Sequence, residues 1–316
     1  MPSLYPARRP TMHFIGVTTS KSSIMPIFPV WAEYLGLDGV LNGIDFAPGA
    51  DPRLYREAVA HIKSDPLSLG ALVTTHKVNL LKASSDLFDE LDPFARTLHE
   101  VSSISKREGR LIGQAMDPIT VGQALKTLVP PGSWKDGRGH VLILGSGGSA
   151  LALSLHLHNR AAAGDGPGKV TITAVDPESL AEMRTIHAQI GFRIPVDYVL
   201  TSSPADTDAL IAGLSPGSLV VNATGLGKDA PGSPTSDAVR YPKRTTLWEF
   251  NYRGDLDFLT QARAQEETRC LTVSDGWGYF IISWTRVIAE VFAIDIPTSG
   301  PVFEKLSQLA CERTGR

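Results

Sequence analysis

Cysteine is scarce in this sequence, with only Cys270 and Cys311 among 316 residues. The two cysteines lack the spacing of metal ligands, so the sequence predicts no metal site. Such low cysteine usage is typical of proteins in a reducing compartment. We therefore expect a cytoplasmic protein.

Features that would indicate a membrane or a nucleic-acid partner are also missing. No apolar run approaches the length of a membrane span, and residues 1–14 are not followed by the apolar segment of a signal peptide. The formal net charge is −3, so no strongly basic surface is expected. We therefore expect neither nucleic acid nor membrane as a partner.

The remaining composition is ordinary for a globular protein, with 42% hydrophobic and 20% charged residues and no internal repeat. A chain of this length is expected to form about two domains with a sizeable core.

The segment Val141–Ala152, which reads VLILGSGGSALA, has the pattern of a dinucleotide-binding turn. Four apolar residues predict a buried parallel strand, and a helix-compatible run follows the glycine-rich turn. This order places backbone N–H groups and a helix N-terminus where a pyrophosphate can bind. A side chain at Gly145 or Gly147 would obstruct the turn or the approach of the phosphate, whereas Ala150 replaces the third glycine of the usual pattern. The predicted cofactor-binding residues of this turn are Gly145, Ser146, Gly147, Gly148 and Ser149; packing alone is the alternative.

A second strand and an acidic residue complete this pattern. Lys169–Val175 is rich in β-branched residues and predicts a second parallel strand. Asp176 follows it, where a carboxylate can bind the ribose hydroxyls of NAD and repel the 2′-phosphate of NADP. The alternative is that Asp176, followed by Pro177, caps the next helix, and one aspartate can do both. The sequence thus predicts NAD as the cofactor, with NADP less favoured.

Strand and helix patterns alternate along most of the chain, which favours an α/β fold with a doubly wound parallel sheet. Val101–Ala115 is instead typical of a hairpin that turns at Glu108-Gly109. The segment from about Tyr279 to Phe292 predicts a helix that is apolar nearly all round and therefore buried.

Several short motifs follow one another along the chain. They are the serine loop Ser20-Lys21-Ser22-Ser23 after a first strand, Val73-Thr74-Thr75-His76-Lys77, Gly113-Gln114-Ala115-Met116-Asp117, Asn222-Ala223-Thr224, and Glu249-Phe250-Asn251-Tyr252. Each motif is weak alone, but in this order they resemble the shikimate and quinate dehydrogenases over nearly the whole chain. The second motif is one residue shorter than usual and lacks its proline. The resemblance implies an N-terminal α/β substrate-binding domain and a Rossmann-type domain, with a cleft between them. Residues 1–117, completed by helices in 276–316, would form the first domain and residues 118–275 the second.

The resemblance also implies roles for individual residues. Lys77 matches the family's acid/base lysine and Asp117 its partner, both touching the same substrate hydroxyls. Ser20 and Ser22 match the serines that hold the substrate carboxylate, and Tyr252 is expected near that carboxylate. The further substrate-binding positions are Thr74, Ser102 and Ser283, and the further cofactor-binding positions are Asn222, Thr224 and Gly276.

Each of these residues also has an ordinary structural interpretation. Lys77 is then a solvent-exposed lysine at a helix start, and Asp117 is the N-cap before Pro118. Ser20 and Ser22 then belong to a polar turn that caps the next helix, and Tyr252 is a half-buried core tyrosine. His76 is interpreted as a local hydrogen-bonding residue.

The side-chain amides that surround the substrate ring in the family are replaced here. Leu72, Ser102, Ala115 and Ser283 stand at four amide positions. Substrate hydroxyls left without partners lose affinity, so the sequence predicts a rebuilt hydroxyl-binding region and retained carboxylate and catalytic ends.

The sequence therefore predicts an NAD-preferring dehydrogenase of the shikimate 3-dehydrogenase type, acting on a secondary alcohol of a small, cyclic hydroxy carboxylic acid. One alternative is an inactive NAD-binding protein that senses a metabolite, which the retained Lys77 and Asp117 disfavour. Another is a methylenetetrahydrofolate dehydrogenase-like enzyme, which the serine loop and Asp117 disfavour. The oligomeric state stays open, with a homodimer as one alternative.

Overall fold

The computed structural model describes residues 5–228 and 230–316. The chain divides into two compact units, one formed by Met1–Met116 with Ile281–Arg316 and the other by Asp117–Phe280. Among the described residues, no helix is long and apolar enough to cross a membrane.

The strands of the first unit form a mixed sheet in the order β2-β1-β3-β5-β6-β4. They are β1 (Thr11–Gly16), β2 (Val40–Asp45), β3 (Ser68–Val73), β4 (Glu90–Leu91), β5 (Ser103–Arg107) and β6 (Arg110–Gln114). β1 lies parallel to both β2 and β3, whereas β5 is antiparallel to β3. Every residue of β1 is buried, as expected for a central parallel strand.

The helices that lie wholly in this unit connect or follow those strands. They are α1 (Ile24–Leu35), α2 (Pro52–Ser64), α3 (Lys77–Ser84), α4 (Pro93–Leu98) and α12 (Pro301–Thr314). Because β1, β2 and β3 are parallel, the segments that follow Gly16, Asp45 and Val73 leave the sheet at the same edge. A backbone hydrogen bond of 2.9 Å from Thr74 N to Ile15 O joins two of these strand ends.

The predicted hairpin is confirmed. β5 and β6 pair antiparallel, and Arg107 lies opposite Arg110. Glu108 and Gly109 both have positive φ, at 51° and 76°, which is the backbone twist that a two-residue hairpin turn needs.

The strands of the second unit form a fully parallel sheet in the order β12-β11-β10-β7-β8-β9. They are β7 (His140–Leu144), β8 (Lys169–Ala174), β9 (Val196–Leu200), β10 (Leu219–Asn222), β11 (Thr246–Glu249) and β12 (Thr272–Ser274). The strand order reverses between β7 and β10, which is the topological switch point where ligands bind in such sheets. The predicted doubly wound sheet is therefore confirmed.

The helices of the second unit are α5 (Asp117–Leu128), α6 (Gly148–Ala162), α7 (Pro177–Gln189), α8 (Pro204–Ala212), α9 (Asp257–Arg263) and α10 (Glu266–Arg269). The division between the units falls inside α11 (Trp277–Phe292). Most residues of α11 are buried, in agreement with its nearly uniform apolar pattern.

Candidate functional site

The glycine turn lies at the carboxyl end of β7, beside the end of β10. Gly145 has φ +107°, and a Cβ at this position would stand 2.9 Å from the carbonyl oxygen of Ala223. Both the backbone conformation and the close approach require glycine here. The turn is further fixed by a hydrogen bond of 2.8 Å from Ala223 N to Leu144 O.

Gly147 differs from Gly145 because the protein itself does not require a glycine at this position. Its φ is −75°, and a Cβ there would meet no atom within 4 Å. Gly147 is the N-cap of α6, and the N-terminus of this helix has no side-chain cap. Uncapped N–H groups beside an open glycine form a cradle that suits a phosphate and that a side chain would fill.

A cavity of about 550 Å³ opens at this point of the second unit. It is bordered by the glycine turn, by the ends of β8 and β9, and by the segment after β10. Its lining residues are Gly145, Ser146, Gly147, Thr173, Ala174, Val175, Asp176, Ser179, Thr201, Ser202, Ser203, Pro204, Thr207, Ala223, Thr224, Gly225, Leu226, Ala230, Ser233 and Pro234. Asp176 is the one charged residue among the described residues that line it. The volume and the position at the switch point fit a dinucleotide cofactor.

Asp176 caps helix α7, as the structural alternative predicts. Its two carboxylate oxygens accept hydrogen bonds of 3.1 Å each from the backbone N–H groups of Glu178 and Ser179. Each carboxylate oxygen can accept more than one hydrogen bond, and Asp176 is exposed at the cavity. Capping and ribose binding are thus compatible.

Ser146 is joined to the start of α7. Its hydroxyl lies 2.6 Å from the Ser179 hydroxyl, which in turn donates a hydrogen bond of 3.0 Å to the Asp176 carbonyl. This chain ties the glycine turn to the end of β8, so the two predicted contact regions of the cofactor are held together.

The other predicted cofactor residues lie at different depths. Thr224 lines the cavity, whereas Asn222 is completely buried beneath it and outside the lining. Gly276 also lies outside the lining, and a Cβ there would stand 2.0 Å from the Phe250 carbonyl oxygen, so this glycine is required for packing. Gly148 and Ser149 form the first turn of α6.

In the first unit, the predicted serine loop is a short 3₁₀ helix, Thr19–Lys21, between β1 and α1. Ser20 is exposed and Ser22 is half-buried. Helix α1 begins after the N-cap Ser23, whose side chain makes no cap hydrogen bond. The loop is fixed to the end of β2, because Thr19 N donates a hydrogen bond of 2.8 Å to the Asp45 carboxylate.

Lys77 is the first residue of α3, and its position is set by the buried residue before it. His76 Nε2 lies 3.0 Å from the carbonyl oxygen of Phe46 and 3.3 Å from that of Gly16. Carbonyl oxygens only accept, so Nε2 carries the proton, and Nδ1 accepts from the buried Tyr55 hydroxyl at 3.0 Å. His76 is therefore a local hydrogen-bonding residue, as expected.

Thr74 and Ser102 both lie beside the end of β3. The Thr74 hydroxyl donates to Ile15 O at 3.2 Å, and the buried Ser102 hydroxyl accepts from Met116 N at 2.8 Å. Ser102 thus supports the backbone next to Asp117. Leu72 and Ala115, at two of the replaced amide positions, are buried.

The remaining predicted residues are divided between the units. Asp117 is the first residue of α5 in the second unit. Tyr252 lies in the same unit, with its ring centroid 5.6 Å from that of Trp277 and 4.5 Å from that of Phe280. Ser283 is half-buried on the part of α11 that belongs to the first unit.

Sequence reasoning missed Tyr55, Ser179, Glu249 and Asn251. Glu249 and Asn251 belong to the motif that ends at Tyr252, and no local pattern marks Glu249 as a contact of Asn222 or Asn251 as a contact of Thr224. Within residues 5–228 and 230–316, no group of three or more histidine, cysteine, aspartate or glutamate residues could hold a metal ion.

No family model matches the chain. It is 32% identical over 183 residues to the shikimate dehydrogenase (NADP(+)) of Streptococcus thermophilus, a match that covers 56% of this chain and 58% of the relative. The chain therefore spans less than two thirds of the length of this curated relative.

Similarity to solved structures extends over almost the whole chain. A shikimate dehydrogenase in complex with NADP+ has a TM-score of 0.73 at 18% identity and covers 99% of this chain and 98% of its own. Quinate dehydrogenase from Corynebacterium glutamicum, in complex with NAD, has a TM-score of 0.72 at 19% identity and covers 96% and 98%. At these identities the structures establish the shared fold.

Proposed function

We infer that this chain, a divergent shikimate dehydrogenase-like protein, is an NAD(P)-dependent oxidoreductase that interconverts a secondary alcohol and a ketone on a small hydroxy carboxylic acid. The observation that carries the proposal is the open cradle at Gly147 in a cavity at the switch point of a parallel sheet. A glycine that the protein does not need for its own packing is best explained by a ligand that approaches the backbone there.

The cavity residues fit the cofactor in distinct ways. The N-terminus of α6 and Gly147 would hold the pyrophosphate, and Asp176 would accept the adenosine ribose hydroxyls. When bound, the nicotinamide supplies the hydride acceptor or donor that protein side chains lack. The chain has to supply orientation, a dry site and a group that moves the hydroxyl proton.

Lys77 is the proposed acid/base group, with Asp117 as its partner. Lys77 is half-buried, and its backbone is held by the N–H to Thr74 O hydrogen bond and by the buried His76 before it. The fixed backbone sets the point from which the flexible Lys77 side chain reaches a substrate hydroxyl. In oxidation the Lys77 amine would take the hydroxyl proton, and in reduction its ammonium would return it.

Ser20 and Ser22 are the proposed carboxylate-binding residues. They precede α1, a helix of 12 residues whose N-cap side chain makes no cap bond. Two hydroxyls and a helix N-terminus can bind an anion without a buried cation. Tyr252 is proposed to contact the same carboxylate.

NAD is the proposed preferred cofactor, in contrast to the NADP(+) in the relative's name. The described lining of the cavity contains Asp176 and no lysine or arginine. A 2′-phosphate next to the Asp176 carboxylate would have no cationic partner and would be repelled.

The substrate is proposed to carry fewer or differently placed hydroxyls than shikimate. Leu72 and Ala115 are buried apolar residues, and the Ser102 hydroxyl already accepts the Met116 N–H. These positions supply no side-chain amide to a substrate ring, so ring hydroxyls there lose partners.

A dehydrogenase screen tests the proposal. Purified protein is assayed with NAD and with NADP against shikimate, quinate, and their deoxy and amino analogues, and cofactor binding is measured in parallel by titration calorimetry. Turnover of at least one hydroxy acid supports the proposal. Tight NAD binding without turnover of any compound would favour the metabolite-sensing alternative, and no binding of either cofactor would overturn the proposed function.

A further inference from the structure

A buried carboxylate lies behind one wall of the cofactor cavity. Glu249, the last residue of β11, is completely buried, and it lies outside the cavity lining. Its Oε2 accepts a hydrogen bond of 2.5 Å from the Asn222 side-chain amide, and its Oε1 accepts one of 2.7 Å from the Asn251 backbone N–H. Glu249 therefore connects the end of β10 to the segment after β11.

The two asparagines hold the cavity wall on both sides. Asn222 Oδ1 accepts from Thr224 N at 3.0 Å and from the Thr224 hydroxyl at 2.7 Å. Asn251 Nδ2 donates to Thr224 O at 3.0 Å and to Leu226 O at 3.3 Å. Thr224 and Leu226 both line the cavity, so Glu249 is separated from the cavity by a single residue on each route.

The polarity of this network requires two acceptors at Glu249. Because Asn222 Oδ1 is bound to two Thr224 donors, the Asn222 NH₂ group must point to Glu249. The Asn251 backbone N–H can only donate. A carboxylate offers both donors a charged acceptor, whereas protonation turns one of the two oxygens into a hydroxyl, which is a weaker acceptor, and a glutamine amide replaces one acceptor by a donor.

Burial raises the pKa of Glu249 to about 7, and the neighbouring Asp275 carboxylate acts in the same direction, whereas the hydrogen bonds from Asn251 and Asn222 oppose it. Of the described charged groups, Asp275, on the segment before α11, is the one that acts on Glu249. Burial lowers the pKa of each histidine described in this unit, His140, His156, His158 and His187. Among the described groups of this unit whose pKa is shifted, Glu249 is therefore the one whose pKa moves to about 7.

We propose that Glu249 is a positioning residue that holds the Thr224–Leu226 wall for the cofactor when its carboxylate is ionised, and that protonation releases one of its two anchors. The inference rests on the proposed function of the cavity. Cofactor affinity should then fall as the pH is lowered through neutrality, although Glu249 lies outside the cavity lining.

The test is NAD binding between pH 6 and pH 8 by titration calorimetry, with wild type, Glu249→Gln and Glu267→Gln. NAD is used because the 2′-phosphate of NADP titrates in the same range. Glu267 is an exposed carboxylate on α10, outside the lining, and its variant is the matched control. Wild type and control should bind NAD about five- to tenfold more tightly at pH 8 than at pH 6, the equivalent of one weakened hydrogen bond.

Glu249→Gln should bind NAD weakly at both pH values and lose the pH slope, a signature that a merely structural role would not produce. Asn251→Ala is a second variant that removes the side-chain contacts to Thr224 O and Leu226 O and keeps the backbone N–H to Glu249, and it should also weaken binding at pH 8. A constant NAD affinity in wild type from pH 6 to pH 8, or the same slope in Glu249→Gln, would overturn the inference while leaving the proposed function intact. Failure of wild type to bind NAD or NADP would overturn the proposed function, and the inference with it.

Discussion

Gly145 lies so close to Ala223 that a Cβ on the glycine would stand 2.9 Å from the Ala223 carbonyl oxygen. The ends of β7 and β10 thus meet without space for a side chain, whereas Gly147, two residues later, faces open space. The two glycines of one motif therefore serve different purposes, which a pair of variants can separate.

Gly145→Ala should destabilise the fold, because it combines a positive φ with a backbone clash, at a cost of about 1–3 kcal/mol. Gly147→Ala should cost less than about 1 kcal/mol, since alanine is only a poorer N-cap there. It should nevertheless weaken NAD binding by about tenfold or more, because its methyl group occupies the phosphate cradle. Denaturant unfolding and calorimetry measure the two effects. Undiminished NAD affinity in a folded Gly147→Ala protein would contradict the cradle.

Asp176→Ser should shift cofactor preference towards NADP while preserving the cap of α7, because serine is also a good N-cap. Loss of a charge-assisted hydrogen bond to the ribose should raise the Michaelis constant for NAD by about tenfold to a hundredfold. The measurement is kcat/KM with NAD and with NADP for both proteins.

Glu178→Gln is the matched control for charge, since Glu178 is the exposed acidic residue two positions along the chain and lies outside the cavity lining. Equal or better kinetics with NADP in the wild type would refute the proposed NAD preference.

Lys77→Ala should lower turnover by about 10² to 10⁴-fold, because no group would then move the hydroxyl proton. Asp117→Asn should lower turnover less, since the amide keeps the shape without the charge. Both variants should retain NAD binding by calorimetry. Lys82→Ala, which removes an exposed lysine from the same helix, is the control and should have wild-type turnover. Near-normal turnover in Lys77→Ala would mean that another group serves as the acid/base.

The pKa of Glu249 also predicts how stability changes with pH. Its pKa is raised from about 4.5 to about 7, so between these values the folded protein binds a proton that the unfolded chain does not. The extra proton on Glu249 stabilises the folded protein. This stabilisation is present in full below pH 4.5 and is lost as the pH rises through 7, so the free energy of unfolding falls by on the order of 3 kcal/mol in total. Denaturant unfolding at pH 5, 6, 7 and 8 should show that the stability of wild type relative to Glu249→Gln falls by about this amount, because the buried histidines, whose lowered pKa values act in the opposite direction, are common to both proteins. Parallel stability curves for the two proteins would contradict the assignment.

Local sequence patterns were sufficient where a structure depends on neighbouring residues. The hairpin at Glu108-Gly109 and the strand, turn and helix around Gly145 follow from turn chemistry and from the hydrophobic period. The contact of Asn222 with Glu249 joins residues 27 positions apart and exists because β10 and β11 are neighbours in the sheet. Likewise, the antiparallel insertion of β5 beside β3 makes the first sheet mixed, which the alternating pattern alone did not predict. Strand order and burial decide both features, and neither is encoded in a local window.

The residues of the proposed substrate site also predict which substrates the protein accepts. A substrate carboxylate should be required, because Ser20, Ser22 and the N-terminus of α1 are proposed to bind it. The double variant Ser20→Ala, Ser22→Ala should therefore raise KM for the hydroxy acid more than it lowers kcat. Shikimate should be a poor substrate, because Leu72 and Ala115 offer no side-chain hydrogen bond and Ser102 offers one short hydroxyl in place of an amide. Each buried hydroxyl without a partner costs about 1–3 kcal/mol, so two such losses lower kcat/KM by about a hundredfold or more. The comparison is kcat/KM for shikimate, quinate and their deoxy analogues with one cofactor at one pH. If shikimate is the best of these substrates, the idea of a rebuilt pocket fails, whereas a deoxy analogue that exceeds shikimate would show that the apolar positions select against its hydroxyls.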